Sequence, residues 1–485
     1  MSGDCRRYNK PMRQTFDSSE MGRPSRSNST FLDPITPRRL ACAGPISGQL
    51  TPPASKSLAQ RALLFAALST GKTRLTGVQR FGACDDVVAA LGILENLDRP
   101  LDWVGPLAVT ITGMAPSHMG GLQPIGPFEV GESATLARLA TAVAGLCCSG
   151  SPSVRGLGTL GRRRSRPLFA ALERAGVRLR QGEVGGWPVG MDAIGPPSDL
   201  YLENPISSQE VSALMLAAAS YPDAIQIHVK GPIPSRPYLE LTRSLLKTFG
   251  VLAVPVEARF EGGESFEMQG VLTAPKNPIH LEPDASSAAV ALCAAAITGG
   301  DFEVPGPWST SVQGDRHIVD FLAEFGVEAG LVTNEEAGGA TEFLATSGTP
   351  TRGAILDLSG HPDLAAPLAS VAAYAALHGG GVSELLGLGT LVGKESNRLE
   401  NLAAGLAAVG VDVEVRNDSE VCGLRIRPRE VPLSSFEATV LDPRGDHRMA
   451  FAFALLGLLH PGIQVADPLC VSKSWPGFWE DLAGR

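Results

Sequence analysis

The sequence predicts an α/β protein built as two similar domains, and three observations carry that prediction. An Ala/Leu-rich helical stretch followed by a short strand candidate recurs six times at almost constant spacing. Aromatic residues make up only 6% of the chain, so its apolar content rests on Ala, Leu and Val, a mix suited to helices packed closely against sheets. The 55 Gly and 37 Pro mark frequent turns, and 485 residues suit two domains of about 200 residues each.

The repeat opens at Ala54 (ASKSLAQRALLFAAL), Glu132 (ESATLARLATAVAGL), Ser207 (SSQEVSALMLAAAS), Asp284 (DASSAAVALCAAAI), Pro362 (PDLAAPLASVAAYAAL) and Asp446 (DHRMAFAFALLGLL). The strand candidates that follow are TRLTGV, SVRGLG, IQIHVKG, FEVPG, VSELLG and IQVAD. Successive openings lie 78, 75, 77, 78 and 84 residues apart, too long for the common solenoid repeats. Grouped three and three, the units divide the chain near residue 283. Ahead of them, residues 1–39 are rich in Ser, Arg and Pro and read as a disordered tail. Asp4, Asp17, Glu20 and Asp33 break the acid-poor pattern of a transit peptide.

Charge and cysteine content exclude several classes. A net charge of -9 argues against a nucleic-acid partner but leaves room for local convergence of Lys and Arg on a small anion. The eight cysteines show no CxxC pair and no zinc-ligand spacing, so reduced and mostly buried thiols are expected. No apolar run reaches the roughly 18 residues of a membrane span. The expected setting is a cytoplasmic protein without metal, nucleic-acid or membrane partner.

Three local patterns are decoys. LSTGKT at 68–73 resembles the end of a P-loop, but position 66 is Ala and the segment follows a helix rather than a strand. Arg162-Arg163-Arg164 reads as a solvated surface run, with Arg166 before Pro167 the better candidate for the site. Asp446-His447 lacks a second His at helical spacing, so metal binding is not expected.

The chemistry begins at the helix openings. Ser, Thr and Asp cap first turns, and the free N–H groups and positive dipole end favour anions. One such opening is an ordinary cap. Six of them, carrying Lys56, Arg138, Asp363 and Arg448, make an anion trap if they face one cleft. Ser207-Ser208-Gln209 adds hydroxyl and amide groups, GKESNR at 393–398 adds Lys394, Glu395 and Arg398, and SKSWP adds Lys473. Basic groups beside two carboxylates suit proton transfer between anionic substrates.

These blocks resemble the 5-enolpyruvylshikimate-3-phosphate synthase family. PASKSLAQRALLFAAL, ISSQEVSALMLAA, SRPYLELTRSLLKTFGV, EPDASSAAVALCAAA, HPDLAAPLA, GKESNRLE, DHRMAFAF and DPLCVSKSWP match its signatures in order, from about residue 42 to the C-terminus. The resemblance implies two domains of three βαβαββ units each (the inverse α/β prism of the enolpyruvyl transferases), with the active site between them. It implies a first domain of 54–282 and a second of 40–53 plus 283–485. The implied reaction moves the enolpyruvyl group of phosphoenolpyruvate to the 5-hydroxyl of shikimate 3-phosphate through a tetrahedral ketal. It uses no cofactor, and the chain is expected to act as a monomer.

Position by position, the resemblance makes Lys56 a contact to both substrates. Ser57, Arg61, Ser207, Ser208, Gln209, Ser235, Asp363 and Lys394 become ligands of shikimate 3-phosphate, with Tyr238 close by and Thr390 where an Asn ligand is common. Ala134, Arg166, Gln209, Arg398, Arg448 and Lys473 fall to phosphoenolpyruvate. Asp363 is implied as the base for the 5-hydroxyl and Glu395 as the acid for the methylene carbon, with Lys56 beside them. The chain departs from the family pattern at Glu132-Ser133-Ala134-Thr135, which stands for Asn-x-Gly-Thr, and at Val392, where Arg is frequent. Ala134 implies reduced sensitivity to glyphosate. Glu132 repels anions unless it is paired or turned away.

Two rival readings have their own signatures. A UDP-N-acetylglucosamine enolpyruvyl transferase opens with Lys-Asn, whereas Ser57 follows Lys56 here. A non-catalytic or redirected paralogue, binding a related cyclitol phosphate, would be expected to lose part of the set from Lys56 to Lys473.

Overall fold

The computed structural model describes residues 36–42, 44–115, 121–181, 186–195, 197, 199–336, 339–417, 421–429 and 438–483. The first 35 residues of the predicted tail lie outside the described residues. Its last residues correct the expectation. Arg38 exchanges backbone hydrogen bonds of 2.9 and 2.7 Å with Val465, and its guanidinium pairs with Glu480 at 2.9 Å. The strand at 463–465 offers an edge with unmet N–H and C=O groups, and Arg38 fills it.

Twelve α-helices run in order among the described residues: α1 (Lys56–Leu68), α2 (Asp85–Asn96), α3 (Ala134–Cys147), α4 (Arg166–Arg174), α5 (Ser208–Ala218), α6 (Pro237–Thr248), α7 (Ala285–Thr298), α8 (Ile318–Glu324), α9 (Ala365–Tyr374), α10 (Arg398–Ala408), α11 (His447–Leu459) and α12 (Phe478–Ala483). The helices α1, α3, α5, α7, α9 and α11 are those of the sequence repeat. They are buried on almost every face, as expected for helices that are apolar all round. Their small Ala side chains let them pack closely.

The sheets repeat one strand order. In the first, Gly71–Thr76 pairs antiparallel with Ala108–Gly113, which pairs antiparallel with Leu101–Trp103, and Ile279–His280 lies parallel on the free side of Gly71–Thr76. Four further sheets repeat this order, a parallel edge pair followed by two antiparallel pairings. The sixth, Thr439–Leu441 with Ile463–Val465, keeps the parallel pair among the described residues. Two sheets borrow a distant strand. Ile279–His280 completes the first, and Gly48–Gln49 completes the sheet of Phe302–Pro305. Gly300 allows the second docking, because a Cβ there would stand 1.9 Å from the Ile46 carbonyl oxygen.

Two apolar cores result. One is drawn from Leu58 to Leu281, the other from Leu40, Ile46 and Leu50 together with Ala285 to Leu482. The chain passes between them at two adjacent places, where Ser55 N–H donates to the Glu282 carbonyl (2.8 Å) and Asp284 N–H to the Pro53 carbonyl (2.9 Å). The charged helix openings of both cores converge on one space, where Lys473 from the second core donates to the Glu132 carbonyl of the first.

Candidate active site

The buried centre of this space is one arginine. Arg398 opens α10, and its Nε and Nη2 donate to Asp446 at 2.8 and 3.1 Å, its Nη1 to Asp363 at 3.0 Å and its Nη2 also to Glu395 at 2.7 Å. Asp446 is fully buried and caps α11 by accepting from the Arg448 backbone N–H (3.1 Å). The Arg448 side chain returns to Asp363 at 2.9 Å and to Ser286, at the start of α7, at 3.2 Å. Openings of α7, α9, α10 and α11 are thereby tied into one network.

Asp363 lies in the single turn leading into α9. Beyond its two arginines it has Lys394 Nζ at 3.9 Å and the Tyr238 hydroxyl at 3.1 Å. The same hydroxyl is 3.2 Å from Asp315. With one proton it can donate to only one of the two carboxylates at a time. Ser286 also donates to Asp315. Burial, and then the Asp363 charge, push the Asp315 carboxyl up to about 6. For Asp363, burial acts upward, but Arg448, Lys394 and Arg398 outweigh it and hold the group well below the usual carboxylate range.

Glu395 receives three cations: Arg163 Nη2 at 2.5 Å, Arg398 Nη2 at 2.7 Å and Lys473 Nζ at 2.9 Å. Burial would raise its carboxyl, yet Arg163, Lys473 and Arg398 keep it well below its ordinary value. Lys473 also donates to the Glu132 carbonyl (3.1 Å), which ties the second core to the start of α3. His447 is buried with neither ring nitrogen in a hydrogen bond. Burial, and then Lys56, hold it neutral, well below its ordinary value.

From the first core, Lys56 opens α1 and pairs with Asp86, in the first turn of α2, at 2.9 Å. Burial lowers the ammonium, but Asp86, together with the weaker pulls of Cys84 and Glu395, outweighs this and leaves it above its ordinary value. Arg61 lies one turn on, donating to the Ser57 carbonyl (2.8 Å) and Thr242 hydroxyl (2.8 Å), and burial draws it down to about 10. Arg138 joins α3 to α5 through Gln209 Oε1 at 3.0 Å, and reaches the Ala134 carbonyl and Ser165 at 3.1 Å each. Ser165 donates in turn to the buried Glu210 at 2.5 Å. Ser207 caps α5 by accepting from Gln209 N–H (3.2 Å), with Ser208 buried behind it. Ser235 precedes Tyr238 with φ at 50°, a left-handed conformation that costs a serine free energy. Thr390 keeps a buried hydroxyl without a partner.

Arg166 is exposed at the start of α4, whereas Arg163, expected at the solvated surface, is buried against Glu395. Glu132, expected to repel anions unless paired or turned away, has a partner. Its side chain turns onto the Thr159 backbone N–H at 3.0 Å. Among the described residues no group of three His, Cys, Asp or Glu side chains is placed to hold a metal.

Residues 41–482 match the family model described as EPSP synthase (3-phosphoshikimate 1-carboxyvinyltransferase). This chain belongs to the EPSP synthase family. A 3-phosphoshikimate 1-carboxyvinyltransferase of Methanoculleus marisnigri is 34% identical over 457 residues, covering 92% of this chain and 99% of that protein. One from Methanopyrus kandleri is 34% identical over 455 residues, covering 90% and 95%. Among solved structures, an EPSP synthase of Acinetobacter baumannii has a TM-score of 0.68 at 23% identity, covering 91% and 96%. The enolpyruvyl transferase NikO of Streptomyces tendae has 0.62 at 15%, covering 92% and 96%. These two likenesses concern the fold. As an EPSP synthase family member, the chain is an enolpyruvyl transferase of the shikimate pathway.

Within this EPSP synthase site, sequence reasoning passed over Asp86, Asp315, Ser286 and Asp446 as partners of its cations. Each stands in or beside the first turn of a helix, the same positional signal that drew attention to Lys56 and Arg448.

Removing Asp446 leaves Arg398 buried with one carboxylate fewer and α11 uncapped. Asp446→Ala should lower stability by about 3–5 kcal/mol, read by urea denaturation; a loss under 1 kcal/mol would show the pair to be dispensable. Asp315 gives a pH signature. Its folded value of about 6 lies above that of an unfolded carboxyl, so its stabilisation is complete below about pH 4 and fades as pH rises through 6. Asp315→Asn removes this loss, and its melting temperature relative to the parent should improve between pH 4.5 and 7.5. A constant difference would place the proton elsewhere.

Proposed function

We propose that the cleft carries out the transfer with Asp363 as base and Glu395 as acid, in a site whose cations are neutralised by these same carboxylates until substrates replace them. The observation that carries this reading is the arginine-centred network, in which Arg398 and Arg448 hold Asp363 while Arg398, Lys473 and Arg163 hold Glu395. Phosphoenolpyruvate and shikimate 3-phosphate bring carboxylate and phosphate groups that compete for those cations. As Arg448, Lys394 and Lys473 turn to substrate, both carboxyls rise from their depressed values and can exchange protons.

The steps then follow from position. Lys56, Ser57, Arg61, Ser207, Ser208, Gln209, Ser235, Thr390 and Lys394 line the shikimate 3-phosphate side. Arg398, Arg448, Lys473 and Lys56, with the first turn of α3 at Ala134, take phosphoenolpyruvate. Asp363 accepts the 5-hydroxyl proton as the oxygen attacks C2, and Glu395 delivers a proton to the methylene carbon, which becomes a methyl group. Phosphate departs among the arginines and lysines, and loss of a methyl proton restores the enol ether. Positioned acid–base groups contribute roughly 10²–10⁴-fold each.

We read the two apolar cores as the two domains, 54–282 and 40–53 with 283–485. The enzyme is read as a monomer and as cytoplasmic, and the buried thiols of Cys84, Cys147, Cys148 and Cys293 suit that reducing compartment. No described helix is long and apolar enough to cross a membrane. Ala134 places a methyl group at the first turn of α3, and lowers glyphosate sensitivity relative to glycine.

Phosphate release that requires both substrates is the direct test of the transfer, with Lys56→Ala as the inactive control; release without shikimate 3-phosphate would contradict it. Asp363→Asn should reduce turnover by about 10²–10⁴-fold while shikimate 3-phosphate still binds, and an unchanged rate removes Asp363 from the proton path. Ala134→Gly should lower the glyphosate concentration for half-inhibition, whereas an unchanged value would clear that methyl of any role.

A further inference from the structure

One buried carboxylate beside the cleft has no task in the transfer reaction. Asp315 lies in the 3₁₀ turn Gly314–His317 that leads into α8 and is 4% exposed. Its Oδ2 is 3.2 Å from the Tyr238 hydroxyl and accepts from Ser286, while its Oδ1 is buried and meets no donor. Asp315 is thus faced by two hydroxyls, where Asp363 is faced by Arg448 at 2.9 Å, Arg398 at 3.0 Å and Lys394 at 3.9 Å.

The Tyr238 hydroxyl joins the two acids, at 3.1 Å from Asp363 Oδ2. One phenolic proton cannot serve both. With both carboxyls ionised, the phenol satisfies one and turns its lone pairs on the other. A single added proton completes the row, because Asp363 then donates to the phenol while the phenol donates to Asp315. That proton has its better resting place at the far end. The cations around Asp363 hold it well below the usual carboxylate range, whereas burial, and then the Asp363 charge, push Asp315 up to about 6. Asp284, at the opening of α7, acts in the same direction and Arg448 opposes it. On Asp315's own turn, Arg316 is drawn to the Trp308 carbonyl at 2.8 Å and His317 to Asp320 at 2.7 Å. His361, beside Gly314, is drawn below its ordinary value by burial.

We propose that Tyr238 and Asp315 form a proton relay behind Asp363, so that the proton taken from the 5-hydroxyl comes to rest on Asp315 rather than on Asp363. The proposal rests on the transfer reaction assigned above, with Asp363 as its base. The hydroxyl O–H bond breaks as its oxygen attacks C2, and a new O–H bond forms on Asp363. Asp363 passes this proton to the phenol oxygen while the phenol's own proton passes to Asp315 Oδ2. The tyrosine ends as it began, Asp363 is ionised again beside its arginines, and one proton has moved. The reverse shift returns it to Asp363 for the departing phosphate to carry away. Tyr238 and Asp315 act through Asp363 and are positioning residues.

The test is kcat for phosphate release, with phosphoenolpyruvate and shikimate 3-phosphate both saturating, in Tyr238→Phe, Asp315→Asn and the double variant. At pH 7.5 each single variant should lose about 10- to 100-fold in kcat, with KM for both substrates within about threefold of the parent. The double variant should be no slower than the slower single one, because a chain is cut only once. Asp315 accepts only when ionised, so the parent's advantage over either variant should shrink by about tenfold between pH 7.5 and pH 5. Substrate ionisation cancels in that ratio, and a role in packing alone would leave it constant. A kcat within about twofold of the parent in Tyr238→Phe overturns the proposal. So does a loss confined to KM, a pair of losses that multiply in the double variant, or a ratio that does not change with pH. Should Asp315→Asn fold poorly, Tyr238→Phe is read alone by its rate and its pH ratio. No release by the parent, or full release by Asp363→Asn, removes the reaction or its base and overturns the relay with it. Full release by Tyr238→Phe beside a crippled Asp363→Asn overturns the relay alone.

Discussion

The site depends on one buried guanidinium. Arg398 is almost completely enclosed and spreads its donors over Asp446, Asp363 and Glu395. Desolvating an arginine is costly, and the cost is met only when carboxylates with good geometry surround it. Asp446 supplies the permanent share. It caps α11, is fully buried and binds Arg398 through both oxygens. With Arg398 fixed there, its remaining donors hold Asp363 and Glu395, the two carboxylates proposed for the proton chemistry. The position of Asp363 and Glu395 is thus a consequence of a structural ion pair, and the proposed base and acid are held by different nitrogens of one planar group.

The repeat explains how such a centre can exist in an acidic chain. Each central helix is buried on its flanks, which leaves its opening turn as the place where charge can face solvent or ligand. Helices arranged around two cores bring several opening turns to one space, and free N–H groups there favour anions. The chain's net charge of -9 says little about this local field. What matters is that Lys56, Arg138, Arg398 and Arg448 all sit in the first turn or two of their helices.

Much of this was legible in the sequence. The spacing of the six openings revealed the repeat, because helices buried all round keep an uninterrupted Ala/Leu signature. Asp363, Glu395, Arg398, Arg448 and Lys473 were legible as chemistry-bearing residues at those openings and in the loops beside them. The arginine run was not. Adjacent side chains leaving a 3₁₀ turn diverge widely, so sequence alone cannot tell which of Arg162, Arg163 and Arg164 turns inward. Glu132 was misleading for a related reason: its sign suggested repulsion, but its partner is a backbone N–H made available by Gly158, and backbone donors leave no mark in composition. Arg38 escaped notice because the strand it pairs with lies more than four hundred residues away in sequence.

The resting arrangement also constrains the order of events. Asp363 and Glu395 are both held ionised by neighbouring cations, so neither is a good base or acid in the unliganded protein. Anionic substrates are the natural competitors for those cations, and each arginine or lysine drawn to a substrate oxygen lifts the carboxyl it leaves. Binding and activation are then a single electrostatic exchange. Asp315, raised to about 6 and joined to Asp363 through the Tyr238 hydroxyl, is coupled to that exchange. In the proposed reaction such an arrangement suppresses proton transfer to water before both substrates are in place, because the groups proposed to move the proton are tied up by the charges proposed to hold the substrates.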